Sequence, residues 1–196
     1  MARIDHAARR RRIVAESLRL FATCGYTKVN FGMIAQASGV ARTILYNYFK
    51  DKRAIFNEAI DLVTGKIRAT YQETAATSVA AEEKLRRVCM KVFAVFFENI
   101  DYICVIADVL TNYRRKGAVP VDRIKAHTEG LLRVFERFVA EGVSRGEFRR
   151  TISPPRAAEL LYSQYEALAL RVAVTGNADL GVCVASLEEL LAAMRS

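Results

Sequence analysis

Apolar residues recur at helical spacing along almost the whole chain, and the sequence lacks the alternation of apolar and polar residues that marks a strand. Ile13, Ser17, Leu20 and Phe21, for example, fall on one face of a first helix that ends at Gly25. Polar residues, glycines or prolines separate the later helices. These are expected at 30–38, 42–48, 82–99, 102–113, 121–145, 154–174 and 185–194, and a further long helix begins at 51 and ends within the polar stretch 72–80. The pattern predicts an all-α protein of about nine helices.

The segment 30–52 carries the most informative local signals. Asn30 can cap the second helix, and Val29 with Ile34 forms a hydrophobic staple across the start of that helix. Gly39 can adopt the positive φ that a tight turn between two helices requires. Two short helices around a glycine turn, followed by tyrosines and cations, are typical of a chain that presents one helix to the major groove of DNA.

Positive charge is concentrated in the same region. Of the net charge of +9, residues 1–54 contribute +8, from eleven Lys and Arg against three acids, and the remaining residues contribute +1. This asymmetry predicts a polyanion-binding region attached to a nearly neutral body. The run Arg9–Arg12 is either a solvated, basic start of the first helix or a disordered arm that grips phosphate or the minor groove.

Composition narrows the class of protein. No apolar run is long enough to cross a bilayer and no signal core follows the basic start, so we expect a soluble, cytoplasmic protein without a membrane partner. The four cysteines lie far apart, which predicts reduced, buried thiols, with a redox sensor as the alternative. With two histidines, no metal-ligand spacing and no nucleophile–base–acid set, the sequence predicts no catalytic residue, no metal site and no cofactor.

The run from Ile13 to Phe56 resembles the N-terminal domain of the TetR/AcrR family of one-component transcriptional regulators. The resemblance rests on the order and spacing of Leu20-Phe21, Gly25-Tyr26, Ile34-Ala35, Gly39-Val40, Leu45-Tyr46, Tyr48-Phe49 and Lys52. Near the C-terminus, GVSRGEFR, the proline after it and an Ala-Ala-x-Leu-Leu helix also resemble that family. The resemblance implies a helix-turn-helix DNA-binding domain with a basic N-terminal arm at 1–53 and a helical effector-binding and dimerisation domain at 54–196.

The resemblance also implies that the third helix enters the major groove. Its exposed face would present three base-reading side chains, Arg42, Thr43 and Asn47. Arg can read guanine, Asn can read adenine and a Thr methyl group can contact thymine. The alternative for Arg42 and Asn47 is a solvated surface or a phosphate contact.

Four further residues stand where the family anchors DNA phosphates, namely Asn30, Tyr46, Tyr48 and Lys52. Such contacts set register and affinity and carry no sequence information. A half-buried packing role is the alternative for Tyr46, since a tyrosine has an apolar ring and a polar tip. Ala41 stands where the family often has Ser, which removes a helix cap at a cost of about 1 kcal/mol.

In the resembled family the middle helices enclose a small-molecule site. Large apolar side chains are plentiful here between 82 and 150, which suggests a lipophilic or aromatic effector if the site exists. The candidate lining residues are Phe93, Phe96, Phe97, Ile100, Ile103, Cys104, Ala107, Leu110, Tyr113, His127 and Leu131. The alternative for each of them is ordinary core.

A dimer seam is predicted on the last two helices, where apolar residues recur at a spacing near 3.5. The candidates are Ala158, Leu161, Tyr165, Leu168, Val172, Leu187, Leu190, Leu191 and Met194. Packing within one subunit is the alternative. A homodimer is expected because one short recognition helix supplies few base contacts and two-fold symmetry doubles them.

Taken together, these features predict a homodimeric transcriptional repressor that binds a palindromic operator in double-stranded DNA and is released by a small-molecule effector. Two alternatives stay open. An architectural DNA-binding protein would show weak sequence preference and no ligand response. An enzyme tethered to DNA by its basic region would turn over the compound that it binds.

Overall fold

The computed structural model describes residues 5–100, 102–107, 109 and 122–196 of the chain. These residues form eight helices with defined bounds and a helical segment, α6, at 102–107. The eight are α1 (His6–Cys24), α2 (Phe31–Ser38), α3 (Arg42–Tyr48), α4 (Lys52–Ala75), α5 (Ala81–Glu98), α7 (Asp122–Ser144), α8 (Pro154–Thr175) and α9 (Leu180–Met194). The expected all-α class with about nine helices is confirmed.

The described residues divide into two compact units, which we call the head and the body. The head contains residues up to 62 and those between 102 and 123; the body contains 63–100 and 124–196. The functional boundary expected at 53/54 lies about half a helical turn into α4, whereas the boundary between the units falls further along the same helix, at 62/63.

The head is built around the packing of α1 on α2 and of α2 on α3. An aromatic cluster closes its centre, with the ring of Tyr26 5.0 Å from that of Phe21 and 5.2 Å from that of Phe56. Ile13, Ile34, Leu45 and Ile55 fill the remaining core and are completely buried. A core of this kind fixes the angle between the short helices, because interiors pack too densely to tolerate a shift.

In the body, α5 packs against α8 and α9, and α8 packs against α9. The core of this unit holds Phe93, Phe135, Phe138 and Phe148. Gly142 on α7 is required by close packing, since a Cβ atom there would lie 2.3 Å from the Phe148 ring. Cys89 is fully buried and its burial raises the pKa of the thiol to about 12, which favours the interpretation as a structural thiol over that as a redox sensor.

The last helix begins earlier than the sequence pattern predicted. We expected α9 to start at Ala185, but it starts at Leu180. The reason is Asp179, whose side chain accepts hydrogen bonds from the backbone N–H groups of Gly181 and Val182 and so caps the helix.

Candidate nucleic-acid interface

Local sequence signals determine the turn between α2 and α3. The side-chain oxygen of Asn30 accepts hydrogen bonds from the N–H groups of Gly32 and Met33, at 2.9 and 3.1 Å, and caps α2 as expected. Gly39 ends that helix with a φ of +65°, a conformation that costs glycine little. Its N–H and that of Val40 donate back to carbonyls of α2, which turns the chain sharply into α3.

Helix α3 has one buried face and one exposed face. Leu45 is fully buried and Phe49, just beyond the end of the helix, is almost so. Arg42, Thr43 and Asn47 are exposed. The three candidate base-reading side chains therefore share the surface of α3 that packing leaves free, as a recognition helix requires.

Tyr46 and Tyr48 keep polar tips near that surface. The Tyr46 ring packs 4.9 Å from the ring of Phe31 while the residue remains 52% exposed, so it combines the packing role with an accessible hydroxyl. The Tyr48 hydroxyl lies 2.8 Å from Nδ1 of His6 in the first turn of α1. That contact between α1 and α3 could not be read from the sequence.

Lys52, which the sequence predicts as a phosphate contact, binds backbone carbonyls of the head in this structure. Its ammonium donates hydrogen bonds to the carbonyls of Tyr26, Thr27 and Val29, at 2.8, 3.1 and 2.9 Å. It also lies 4.7 Å from the centre of the Tyr26 ring, and burial lowers its pKa. All three ammonium protons are engaged in holding the loop before α2, so a phosphate contact by Lys52 would require one of them to be released.

The run Arg9–Arg12 is helical and is no disordered arm. Asp5 caps α1 by accepting hydrogen bonds from the N–H groups of Ala7 and Ala8, so the whole run lies in the first two turns of the helix. The expectation of a basic helix start is confirmed for these residues. Arg10 is half-buried and bound to Glu58, whereas Arg9, Arg11 and Arg12 have no ion-pair partner within the described residues.

The candidate effector residues fall into three sets. In the body, Phe93 and Leu131 are buried, Phe96, Phe97 and His127 are half-buried, and Ile100 is exposed. Burial, together with the nearby charge of Arg68, lowers the pKa of His127 to about 4, so the ring is neutral at pH 7. Ile103, Cys104 and Ala107 are assigned to the head, and Leu110 and Tyr113 lie outside the described residues.

Two features of the body were not predicted from the sequence. The rings of Phe93, Phe96 and Phe135 surround the Tyr165 ring at 5.0, 6.0 and 6.1 Å, which makes Tyr165 the centre of an aromatic cluster. An open groove of about 600 Å³ is lined by residues of α4 and α5 and by Thr77, none of them among the candidate effector residues.

Most of the residues predicted for the dimer seam on α8 and α9 are covered within the subunit. Ala158, Leu161, Tyr165, Leu168, Val172, Leu187, Leu191 and Met194 are buried inside the subunit and Leu190 is half-buried, so a partner cannot reach the eight buried ones. The cause is that α8 and α9 pack on each other and on α5 with these residues. The exposed large apolar residues of the two helices are Leu160, Leu170, Val174, Leu180 and Val182.

Two other kinds of site are not found among the described residues. In the part of the chain that the structure describes, no three His, Cys, Asp or Glu side chains are grouped as metal ligands. No described helix is both long and apolar enough to cross a membrane.

Comparisons with known proteins agree with this geometry. Residues 13–59 match the model of the family described as bacterial regulatory proteins, tetR family. The fatty acid metabolism regulator protein of Bacillus subtilis (strain 168) is 24% identical over 150 residues, which cover 76% of each chain.

Two solved structures share the fold over nearly the whole chain. The transcriptional regulator FadR from Bacillus subtilis, solved in complex with stearoyl-CoA, has a TM-score of 0.76 and 22% identity, covering 92% of this chain and 96% of its own. PfmR, a TetR-family transcriptional regulator from Thermus thermophilus, has a TM-score of 0.75 and 22% identity, covering 92% of this chain and 94% of its own. The family match in α1–α4 falls on the residues that build the turn and the exposed face of α3.

Proposed function

We infer that this chain is a dimeric repressor of the TetR family, whose model matches residues 13–59, and that it reads an operator with α3 and leaves it when a lipophilic effector binds. We assign DNA binding to residues 1–53, and effector binding and dimerisation to residues 54–196. The observation that carries the proposal is the exposed face of α3, where Arg42, Thr43 and Asn47 project from a helix whose opposite face is locked by Leu45.

In this proposal the base contacts come from Arg42, Thr43 and Asn47, and phosphate contacts come from residues around them. Tyr46 and Tyr48 supply hydroxyl groups at the edge of α3, and Asn30 supplies its amide N–H₂ at the start of α2, because only its oxygen is used by the cap. We give Lys52 the supporting role that its three carbonyl contacts suggest.

Two copies of the head are needed for a palindrome, and we place the dimer contact on the exposed apolar residues of α8 and α9. On α8, Leu170 and Val174 lie on the side opposite the buried residues and Leu160 lies at the flank, given about 100° of rotation per residue. Replacing Leu170, which is 64% exposed, by Glu is expected to yield monomers in sedimentation velocity. If this variant is still dimeric, the dimer contact lies elsewhere on the protein.

The effector that we propose is a long-chain acyl thioester. The support is the relative named as a regulator of fatty acid metabolism and the structural relative solved with stearoyl-CoA. The body offers apolar and aromatic side chains for such a chain, including Phe93, Phe96, Phe97 and Leu131. His127 is neutral at pH 7 and would add no charge to such a site.

The test measures fluorescence anisotropy of a duplex that the protein has enriched from a random library, at a salt concentration of about 0.15 M. Stearoyl-CoA should release the DNA, whereas free CoA should not, because it lacks the acyl chain. Stearate, which has the chain without the thioester, shows whether the chain suffices. If no acyl compound changes the affinity and the duplex preference is weak, the protein is better described as architectural. Hydrolysis of stearoyl-CoA during the assay would instead revive the enzyme alternative.

A further inference from the structure

The second turn of α1 is joined to the end of α3 by one arginine. Arg10 donates hydrogen bonds from Nε to both oxygens of the Glu58 carboxylate, at 2.7 and 2.9 Å, and from Nη2 to the same group. Its Nη1 donates to the backbone carbonyl of Tyr48 at 3.0 Å. The guanidinium carbon also lies 4.4 Å from the centre of the Phe49 ring. One side chain thus bridges α1, the end of α3 and the first part of α4.

The end of α3 needs such a partner. With seven residues, the helix is too short to be stable alone, and the last carbonyls of any helix lack partners inside it. Its first turn receives no side-chain cap, because Ala41 stands at the N-cap position. Arg10 satisfies the carbonyl of the final residue with a hydrogen bond from its guanidinium.

His6 makes a second contact to the same residue. Its Nδ1 lies 2.8 Å from the Tyr48 hydroxyl, so α1 contacts Tyr48 both at its backbone and at the tip of its side chain. We call Arg10, Glu58, His6 and Tyr48 the clamp.

We propose that Arg10 is a positioning residue for DNA recognition, which holds α3 at the angle that base reading requires and makes no contact with DNA. The proposal rests on the DNA-reading function assigned to α3 above. It separates Arg10 from its neighbours in the basic run: the charge of Arg10 is neutralised by Glu58, whereas Arg9, Arg11 and Arg12 have no ion-pair partner within the described residues. A cation already paired with a carboxylate releases few counterions from DNA.

The test uses two conservative variants and one matched control from the same run. Arg10→Lys keeps the charge, but a lysine cannot bridge a carboxylate and a carbonyl with a planar fork. Glu58→Gln keeps the shape and removes the carboxylate charge. Arg11→Ala removes an exposed cation one position along the helix. For each protein the affinity is measured for the duplex enriched from a random library and for a scrambled duplex, over a range of salt concentrations and below the onset of thermal unfolding.

Both clamp variants should lose about tenfold in affinity for the enriched duplex, the size of one good base contact, and should keep their affinity for the scrambled one. Arg10→Lys should also keep the wild-type salt slope. Arg11→Ala, if Arg11 binds phosphate, should weaken binding to both duplexes and lower the salt slope by about 0.9 for each phosphate that is no longer neutralised. A residue needed only for folding would change the melting temperature and leave the ratio of the two affinities unchanged.

Three results would overturn the proposal. If both clamp variants prefer the enriched duplex as strongly as the wild-type protein does, Arg10 has no positioning role, and the proposed function is not affected. Glu58→Gln binding both duplexes more tightly with a steeper salt slope would show that Arg10 contacts phosphate once released. A wild-type protein without any preference would remove the DNA-reading function, and the positioning role with it.

Discussion

The head and the body both use ion pairs to join helices, but residues 1–54, which lie in the head, carry an excess of positive charge that is nearly absent from the rest of the chain. In the body, cations join helices: Lys84 on α5 pairs with Glu141 on α7 at 2.8 Å, and Arg86 on α5 pairs with Glu188 on α9 at 2.7 Å. In the head, the ion pair between Arg10 and Glu58 joins helices in the same way. Most other cations of that region have no ion-pair partner within the described residues, namely Arg9, Arg11, Arg12, Lys28, Arg42, Lys50 and Lys52, the last of which binds backbone carbonyls.

The contacts of these cations show what a count of charges cannot, namely which cations stabilise the fold and which are left at the surface. An arginine bound to a carboxylate stabilises a fold, whereas an unpaired one at the surface attracts a polyanion, and both raise the formal charge equally. The net charge of +8 in residues 1–54 thus contains at least one cation, Arg10, that is used for structure. Breaking pairs in the body should affect stability, and removing unpaired cations in the head should affect DNA binding.

The largest effect is expected for Glu141→Ala in the body. The side chain of Lys84 is 5% exposed, so removal of its partner leaves an ammonium buried without a counter-charge. The free energy of unfolding, measured by urea denaturation, should fall by about 3–5 kcal/mol. The control is Glu129→Ala, which breaks an exposed pair with Arg133 and should cost less than about 0.5 kcal/mol. Equal losses in the two variants would show that burial does not govern the energy of these pairs.

In the head, Arg42→Ala should weaken binding to an enriched duplex by about 1–3 kcal/mol for each half-site, the value of a good base contact. Its stability should change by less than about 1 kcal/mol, because the side chain is exposed, has no ion-pair partner within the described residues and lies 6.0 Å from the centre of the Tyr46 ring. The comparison is Arg133→Ala in the body, which should leave DNA affinity as it is. If Arg42→Ala weakens binding to scrambled DNA to the same extent, Arg42 contacts phosphate and reads no base.

The ion-pair network of the body should make its stability depend on pH. Hydrogen bonds from Arg195, and then from Arg86, lower the pKa of Glu82 to about 2. The contribution of this carboxylate is complete above its unfolded pKa near 4.5 and is lost as the pH falls from there to about 2. Glu82→Gln should cost about 1–2 kcal/mol at pH 7 and should flatten the dependence of the urea midpoint on pH over that range. If the urea midpoint depends on pH in the same way in the variant and in the wild-type protein, the prediction is wrong.

The smallest effects are expected at the helix caps of the head. Asn30→Ala removes two hydrogen bonds at the start of α2 and should cost about 1 kcal/mol of stability. Ala41→Ser should do the reverse, since α3 has no side-chain cap, with a gain of up to about 1 kcal/mol. Thermal unfolding of both variants measures these two changes in stability. A loss in Ala41→Ser would mean that the added hydroxyl cannot reach the N–H groups of α3.

Features that depend on neighbours in the sequence were predicted well. The cap at Asn30, the turn at Gly39 and the bounds of α3 follow from residues close to each other in the chain, and the structure has all of them. The early start of α9 was missed because its cap, Asp179, stands in a segment that otherwise has the composition of a loop. Local chemistry is enough for most helix ends in this chain.

Features that depend on distant residues were not predictable in the same way. The spacing of apolar residues shows that α8 has a buried face, but it does not show whether that face packs inside the same subunit or against a partner. In the structure, Leu161 and Leu168 are buried within the subunit. The partners of Arg10 lie 38 to 48 residues away in the chain, so its role is invisible in a run of four arginines. Lys52 likewise contacts carbonyls more than twenty residues before it.

Whether α3 reads bases is tested most directly by letting the wild-type protein select binding sites from a random duplex library at about 0.15 M salt. We predict two like half-sites in inverted orientation, with centres one helical turn apart, about 10–10.5 base pairs, or a multiple of it. Tight, salt-sensitive binding that enriches no sequence would contradict this prediction, because the unpaired cations of the head would then hold DNA without α3 reading it.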